Sequence, residues 1–321
     1  MSDLDSVDHK ILYHLFLNSR QSLSSISKKT NLNKSVVEYR LKKMINNRSI
    51  ENFNAVLDVY KLGYSLYRWY IRFQYTSPVV EHEILSYFLE HKNIWNIAIL
   101  KGNYDIMITI LIDNMDEYIQ FYEETLKRFR YYFKNMYISQ LYTTYEYDKP
   151  FIKNNEQRCS EKTPYQLMST QNPVILSDVE YRILSILSKN ARIPTIEIAK
   201  QVDVTSPTVL NKMKYFTKSG VIIKYSININ ANKLGYKIFI VNFSLRNYEH
   251  RDKIIQRLSH ISFIREIYKS IGGPDIELTL FSTNFEHFYS LLEKIRYEYT
   301  DDFANHDYLY VEKMYAKNYL P

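Results

Sequence analysis

The chain has 321 residues, 42 Lys/Arg against 35 Asp/Glu, and a sequence pI near 9.0, giving a net charge of +7. That length allows roughly two to four domains with ample core, and the positive excess suits a polyanionic partner. The one cysteine, Cys159, excludes an internal disulfide. No apolar run is long enough to span a bilayer, and the opening MSDLDSVDHK is too acidic for a signal peptide. A cytoplasmic protein with no membrane partner is expected.

In chain order, residues 5–18 carry Val7, Ile11, Leu12 and Leu15 at helical spacing, with Asp5 and Asp8 in the first turn where the helix dipole favours them. Ser22 caps a second predicted helix over 23–29. After the polar turn 30–33, with Asn33 as the expected N-cap, KSVVEYRLKKM over 34–44 places Val37, Leu41 and Met44 on one stripe and most of its basic residues off it. This order reads as a helix-turn-helix whose second helix enters a DNA major groove, or else as a solvated amphipathic helix. Residues 49–59 alternate and predict either a two-stranded wing or a strand leading out.

Residues 64–148 predict strands over 64–75, 94–100, 106–112 and 136–147, with helices starting at Pro78 and over 116–129. The order βαββαβ is that of a ferredoxin-like sandwich. Pro150 to Ser177 is polar and aperiodic and reads as a linker.

The chain then repeats itself. An offset of 172 carries Ile11 to Ile183, Arg20 to Arg192, Arg40 to Lys212, Arg48 to Gly220 and Leu62-Gly63 to Leu234-Gly235. Predicted strands recur over 237–245, 264–270, 276–281 and 308–315, with helices over 249–259 and 285–298. The period is far too long for a solenoid, so a whole two-domain unit is duplicated. The positive excess sits on both predicted DNA modules: nine Lys/Arg against four Asp/Glu over 1–50, and seven against four over 178–222. The expected fold is α+β, with winged helix-turn-helix domains at 1–60 and 178–232, ferredoxin-like domains at 61–149 and 233–321, and a linker at 150–177.

Each half resembles the leucine-responsive/asparagine-regulator (Lrp/AsnC) family of transcription regulators. In the first half the resemblance rests on Leu4-Asp5, Asp8, Ile11-Leu12, Asn18-Ser19-Arg20, Val37, Arg40-Leu41-Lys42-Lys43, Leu62-Gly63 and the Gly102-x-x-Asp105 turn. In the second it rests on Ile183-Leu184, Asn190-Ala191-Arg192, Ile198-Ala199, Ser219 to Ile222, Leu234-Gly235 and Gly272-x-x-Asp275. It implies a DNA-binding module and a ligand-sensing sandwich in each half. It also implies sandwiches that pair through their sheets, chains that associate further, and a small effector, often an amino acid, near the Gly102 to Asp105 turn. Arg48-Ser49 replaces the Gly-Val expected before Ile50, and Lys212 replaces the arginine matched by Arg40.

On the first recognition helix Lys34, Ser35, Glu38 and Tyr39 are candidates to read bases; on the second, Ser206, Pro207, Thr208, Leu210 and Asn211. Glutamate accepts from cytosine N4 and asparagine bonds adenine bidentately, although Glu38 reads equally as a surface helix charge. Arg40, Lys42, Lys43, Arg48, Lys212, Lys214 and Lys218 are candidate phosphate contacts. The unlike helices predict an asymmetric or pseudo-palindromic site. The turns Gly102-Asn103-Tyr104-Asp105 and Gly272-Gly273-Pro274-Asp275 read as an effector pocket or domain-pairing edge. The two glycines Gly102 and Gly272 are explained by hairpin turns alone, and Asp105 and Asp275 read first as local caps.

Two other functions compete. The sirohaem decarboxylases are enzyme relatives of the family with a His-x-Tyr-x-Arg type segment on the strand that matches 96–100 here. Neither that strand nor 265–269 holds a histidine. The eight histidines show no metal-ligand spacing, so no metal, cofactor or enzyme is expected. An effector-independent DNA-architectural protein is the other alternative.

Overall fold

The computed structural model describes residues 4–147, 165–168, 172–316 and 320. In chain order the elements are α1 (Ser6–Leu17), α2 (Leu23–Thr30), α3 (Lys34–Asn46), β1 (Ile50–Leu57), β2 (Ser65–Phe73), α4 (Pro78–Glu90), β3 (Ile94–Lys101), β4 (Ile106–Ile112), α5 (Met115–Phe129), β5 (Phe133–Glu146) and β6 (Tyr165–Met168). There follow α6 (Asp178–Lys189), α7 (Thr195–Val202), α8 (Ser206–Lys218), β7 (Ile222–Ile229), β8 (Lys237–Leu245), α9 (Arg251–Leu258), β9 (Ile264–Ile271), β10 (Ile276–Ser282), α10 (Phe285–Glu298) and β11 (Phe303–Ala316). No helix among the described residues is long and apolar enough to cross a membrane.

Local chemistry sets the helix boundaries. Asp5 and Asp8 form a capping box on α1, and Ser177 with Glu180 forms the equivalent box on α6. Ser22 caps α2 through the Ser25 N–H at 3.1 Å. Asn33 occupies the N-cap of α3 with an extended backbone, but its side chain makes no capping hydrogen bond, which corrects the expectation for it. Thr205 does cap α8, accepting from the Thr208 N–H at 3.3 Å. Pro78 fills the first helical position of α4 behind the Ser77 cap. The helix predicted over 249–259 opens instead with a 3-10 turn, Tyr248–His250, before α9.

The chain falls into two compact units that cut across sequence order, each pairing like with like. One holds both helix-turn-helix segments. The expected wings are not separate hairpins: β1 pairs antiparallel with β7 over Ile50↔Ile229 to Leu57↔Ile222. Asn54 faces Ser226 in this ladder, and these two are themselves separated by the repeat offset of 172. A pseudo-twofold axis therefore passes between them. The backbone contacts that cross it come in pairs. Ser19 N–H donates to Tyr225 O and Ala191 N–H to Phe53 O; Asp58 N–H donates to Val221 O and Asn230 N–H to Ser49 O.

The other unit holds both sandwiches. Within each, two helices cover one face of a four-stranded sheet, ordered β5-β2-β4-β3 and β11-β8-β10-β9. Trp69, Ile71, Ile97, Ile108, Ile110, Phe88 and Phe121 make the first core, and Phe239, Val241, Phe243, Leu278, Phe288 and Leu292 the second. The two sheets join at both edges, β3 to β11 and β5 to β9, so eight antiparallel strands close into a ring with no free edge between them. These joints are also pseudo-twofold: Ile97↔Tyr315 and Ala98↔Met314 correspond to Tyr145↔Ile267 and Thr144↔Tyr268 at an offset of 170. Two residues are lost between β8 and β9, where α9 has 8 residues against 13 in α4.

The segment expected to be a linker lies largely outside the described residues. Within it, β6 runs beside β5, and Leu167 is buried.

Candidate nucleic-acid interface

Each recognition helix is seated by a small apolar stripe. Val37, Leu41 and Met44 anchor α3; Val209, Met213 and Phe216 anchor α8. The remaining faces are open to solvent. On α3 these carry Lys34, Ser35, Lys42, Lys43 and Tyr39, the last 67% exposed, with half-exposed Glu38 paired to Lys42 at 2.9 Å. That pairing gives Glu38 the bland role, a surface helix charge. Lys42 and, more weakly, Lys34 lower its pKa.

On α8 the solvent face carries Pro207, Leu210, Asn211, Lys214 and Lys218. Ser206 opens the helix half-buried. Thr208, also half-buried, spends its hydroxyl on Thr205 at 2.8 Å.

Arg40 and Lys212 sit differently from what their charge suggested. Arg40 reaches back to the capping box of α1, 2.6 Å from Asp5 and 3.3 Å from buried Asp8. Lys212 reaches the box of α6, 2.9 Å from Glu180. Both tie a recognition helix to the first helix of its own module, so they orient it and do not stand free for a phosphate.

Asp5 has its pKa lowered, first by the Asp8 backbone N–H and also by Arg40. Its folded pKa is below the unfolded value of about 3.9, so the contact contributes fully above that value and is lost as pH falls through the folded one. Arg40→Ala is expected to cost about 1–3 kcal/mol at neutral pH, because it takes the cation from buried Asp8 as well as from half-exposed Asp5. The difference from the unmodified chain should shrink as pH falls, and the salt dependence of DNA binding should not change. Urea midpoints at pH 7 and pH 3 check this.

Arg48 follows α3 in the left-handed region at φ +58°, where the second copy has Gly220 at +73°. A non-glycine residue there costs about 1–2 kcal/mol. Arg48 is exposed and remains a candidate phosphate contact.

The two modules are fixed to one another by a pair of arginines. Arg20 donates through Nη1 to Ala191 O and to Ile193 O at 3.1 Å, and lies over the Tyr225 ring at 5.7 Å. Arg192 donates to Ser19 O at 2.8 Å and lies over the Phe53 ring at 5.3 Å. Burial lowers the pKa of each. Arg20 and Arg192 were legible as part of the repeated Asn-x-Arg motif, but not as its means of pairing.

The Gly102 to Asp105 and Gly272 to Asp275 turns are hairpin connections in the barrel unit. Asp105 accepts from the Phe73 N–H at 2.7 Å and from Arg72 at 3.0 Å; Asp275 accepts from the Leu245 N–H at 2.6 Å. Both carboxylates tie a turn to the end of a neighbouring strand. A Cβ on Gly102 (φ +140°) would meet Leu309 Cδ2 at 3.0 Å and Tyr308 O at 3.2 Å, so this turn lies against β11 of the other copy. Gly272 is also left-handed, and a Cβ on Gly273 would fall 2.8 Å from Ser139 Cβ and 2.9 Å from Tyr137 Oη. The turns thus belong to the edge where the copies pair. Asn103 is exposed, Tyr104 packs its ring 5.5 Å from that of Tyr70, and Pro274 is buried.

Comparison with known proteins agrees with this geometry. A family model described as winged helix-turn-helix DNA-binding matches residues 4–48 and again 176–223. The HTH-type transcriptional regulator LrpA of Pyrococcus horikoshii is 34% identical over 104 residues, which is 32% of this chain and 74% of that protein. The regulatory protein AsnC of Haemophilus influenzae is 26% identical over 118 residues, 36% of this chain and 79% of that protein. Among solved structures, the siroheme decarboxylase NirDL superposes with a TM-score of 0.64, covering 98% of this chain and 94% of that one at 12% identity. That last likeness is one of fold.

Proposed function

Because the chain belongs to the Lrp/AsnC family of transcription regulators, we propose that it is a double-stranded-DNA-binding regulator in which one chain supplies both half-site readers. The observation that carries this reading is the reciprocal contact set about Asn54 and Ser226, which ties two helix-turn-helix modules into one pseudo-twofold body. Regulators of this kind present two helices to half-sites about one helical turn or a multiple apart, a task usually met by dimerising. Here duplication supplies both helices. Lys34, Lys42, Lys43 and Arg48 of one module, and Lys214 and Lys218 of the other, take phosphates. Ser35 and Tyr39 face bases in one half-site, Leu210 and Asn211 in the other.

A small effector such as an amino acid acts in this reading at the Gly102 and Gly272 turns, where a ligand would press on the edge at which the copies meet. Chains associate through the barrel unit. Met115 and Ile119 on α5, and their repeat equivalents Phe285 and Tyr289 on α10, are large apolar residues left exposed. We assign no catalytic role: the named sequence relatives are regulators, and β3 and β9 carry no histidine.

Selection of binding sites from random duplex DNA tests the reading. The readable faces differ at every equivalent pair, Glu38 against Leu210 and Tyr39 against Asn211 among them, so the selected site should be asymmetric or pseudo-palindromic. Recovery of a perfectly symmetric operator would count against it.

A further inference from the structure

The interior of the eight-stranded ring is divided unequally between the two copies. Residues that face each other across antiparallel strands share a side of the sheet. Arg68 is registered with Thr109 and Ser139, and Glu277 with Tyr268. All are on the face turned away from the helices.

There Arg68 of the first copy is ion-paired with Glu277 of the second. The Tyr70 hydroxyl donates to Glu277 at 2.8 Å, Arg68 donates to Thr109 Oγ1 at 3.3 Å, and its guanidinium lies 4.3 Å from the Tyr268 ring centre. Tyr268 in turn donates to Glu266 at 2.7 Å, and Glu266 holds Arg265 at 3.2 Å. Arg68 and Glu277 are 3% and 1% exposed, so neither charge has water to fall back on.

The pseudo-twofold axis sends this cluster to the other pole of the ring, where its chemistry is absent. Arg68 maps to Ile240, Glu277 to Met107, and Tyr268 to Ala98. Those residues, with Leu100, Leu309 and Val311, pack as buried apolar groups around the Tyr70 ring, and on the same face Asn242 donates to Asp307 at 3.0 Å. A first copy paired with another first copy would bury two arginines against Met107. A second copy paired with another second copy would bury two glutamates against Ile240. Only the mixed pairing sets Arg68 against Glu277, and Ile240 with Met107 at the equivalent positions.

We propose that this surface recognises a single partner, the unlike copy, and rejects a second copy of the same half. The consequence is that a ring closed from the halves of this chain carries one of each. The discrimination comes from the cost of a lone buried charge, which exceeds the net worth of the pair itself.

The full-length chain tests this, because each single exchange rebuilds one forbidden contact. Glu277→Met sets Arg68 against methionine, as like-with-like pairing of the first copy would. Arg68→Ile sets isoleucine against Glu277, as that of the second would. The expected result is a fall in the urea midpoint of about 1 M or more for each single variant, with most of the loss recovered in the double variant. If the methionine variant does not fold, Glu277→Gln replaces it. Its loss should be seen while Arg68 is present and should be absent when it is combined with Arg68→Ile. A double variant no better than the singles, by midpoint or by failure to fold, overturns the proposal. So do single variants that cost nothing.

Discussion

Replacing Lys34, Lys42 and Lys43 together with alanine is expected to weaken duplex-DNA binding about 100-fold at 0.15 M salt and to flatten the plot of log affinity against log salt by about three. The magnitude follows from counterion release. Each phosphate neutralised contributes about 0.9 to the slope, and three such contacts extrapolated from 1 M salt amount to roughly two decades of affinity at 0.15 M. All three lysines are exposed on α3. Removing Lys42 also frees Glu38, which it holds at 2.9 Å, and so leaves an unmasked anion facing the phosphates. Folding should be nearly untouched, since surface substitutions of this kind usually stay within about 0.5 kcal/mol. Fluorescence anisotropy across a salt series separates the two effects.

The second large effect concerns the joint between the modules. Alanine at Arg20 is expected to destabilise that unit by about 2–4 kcal/mol, because the carbonyls of Ala191 and Ile193 would lose a charged donor while remaining sheltered from water. Arg192→Ala should cost somewhat less, since Arg192 holds one carbonyl, that of Ser19 at 2.8 Å. Lysine should not rescue Arg20, because a single ammonium cannot bond both carbonyls and also lie flat over Tyr225. Urea unfolding followed by circular dichroism reads these losses. Equal stability of Arg20→Ala and the unmodified chain would mean that the β1–β7 ladder alone fixes the pair.

Much of this was legible in the sequence, and the reasons for the rest are physical. The recognition helices declared themselves through stripes such as Val37, Leu41 and Met44, a local signal. The alternation of β1 marked a strand, but its partner β7 lies a whole repeat away, and no local feature names a partner at that distance. Arg40 and Lys212 looked like phosphate contacts because charge and period show which face a residue occupies. They do not show that Asp5 or Glu180, from another helix, reaches the same place. Glu277 stood in plain view between Ile276 and Leu278, and Arg68 between Tyr67 and Trp69. Their meaning depends on ring closure, which turns what would be the open face of a lone sandwich into an interior. The two turn aspartates were read first as local caps, and Phe73 and Leu245 are the backbone groups they hold.

In the proposed function one chain reads DNA with two unlike modules at once. Its most direct test sets the α3 lysine variant beside Lys214→Ala combined with Lys218→Ala, on the same selected duplex and across the same salt series. Each set should flatten the slope, the second by about two, and the sets combined should lose the sum. A slope unchanged by removal of Lys214 and Lys218 would contradict it, leaving α3 as the working reader and the second module as its structural partner.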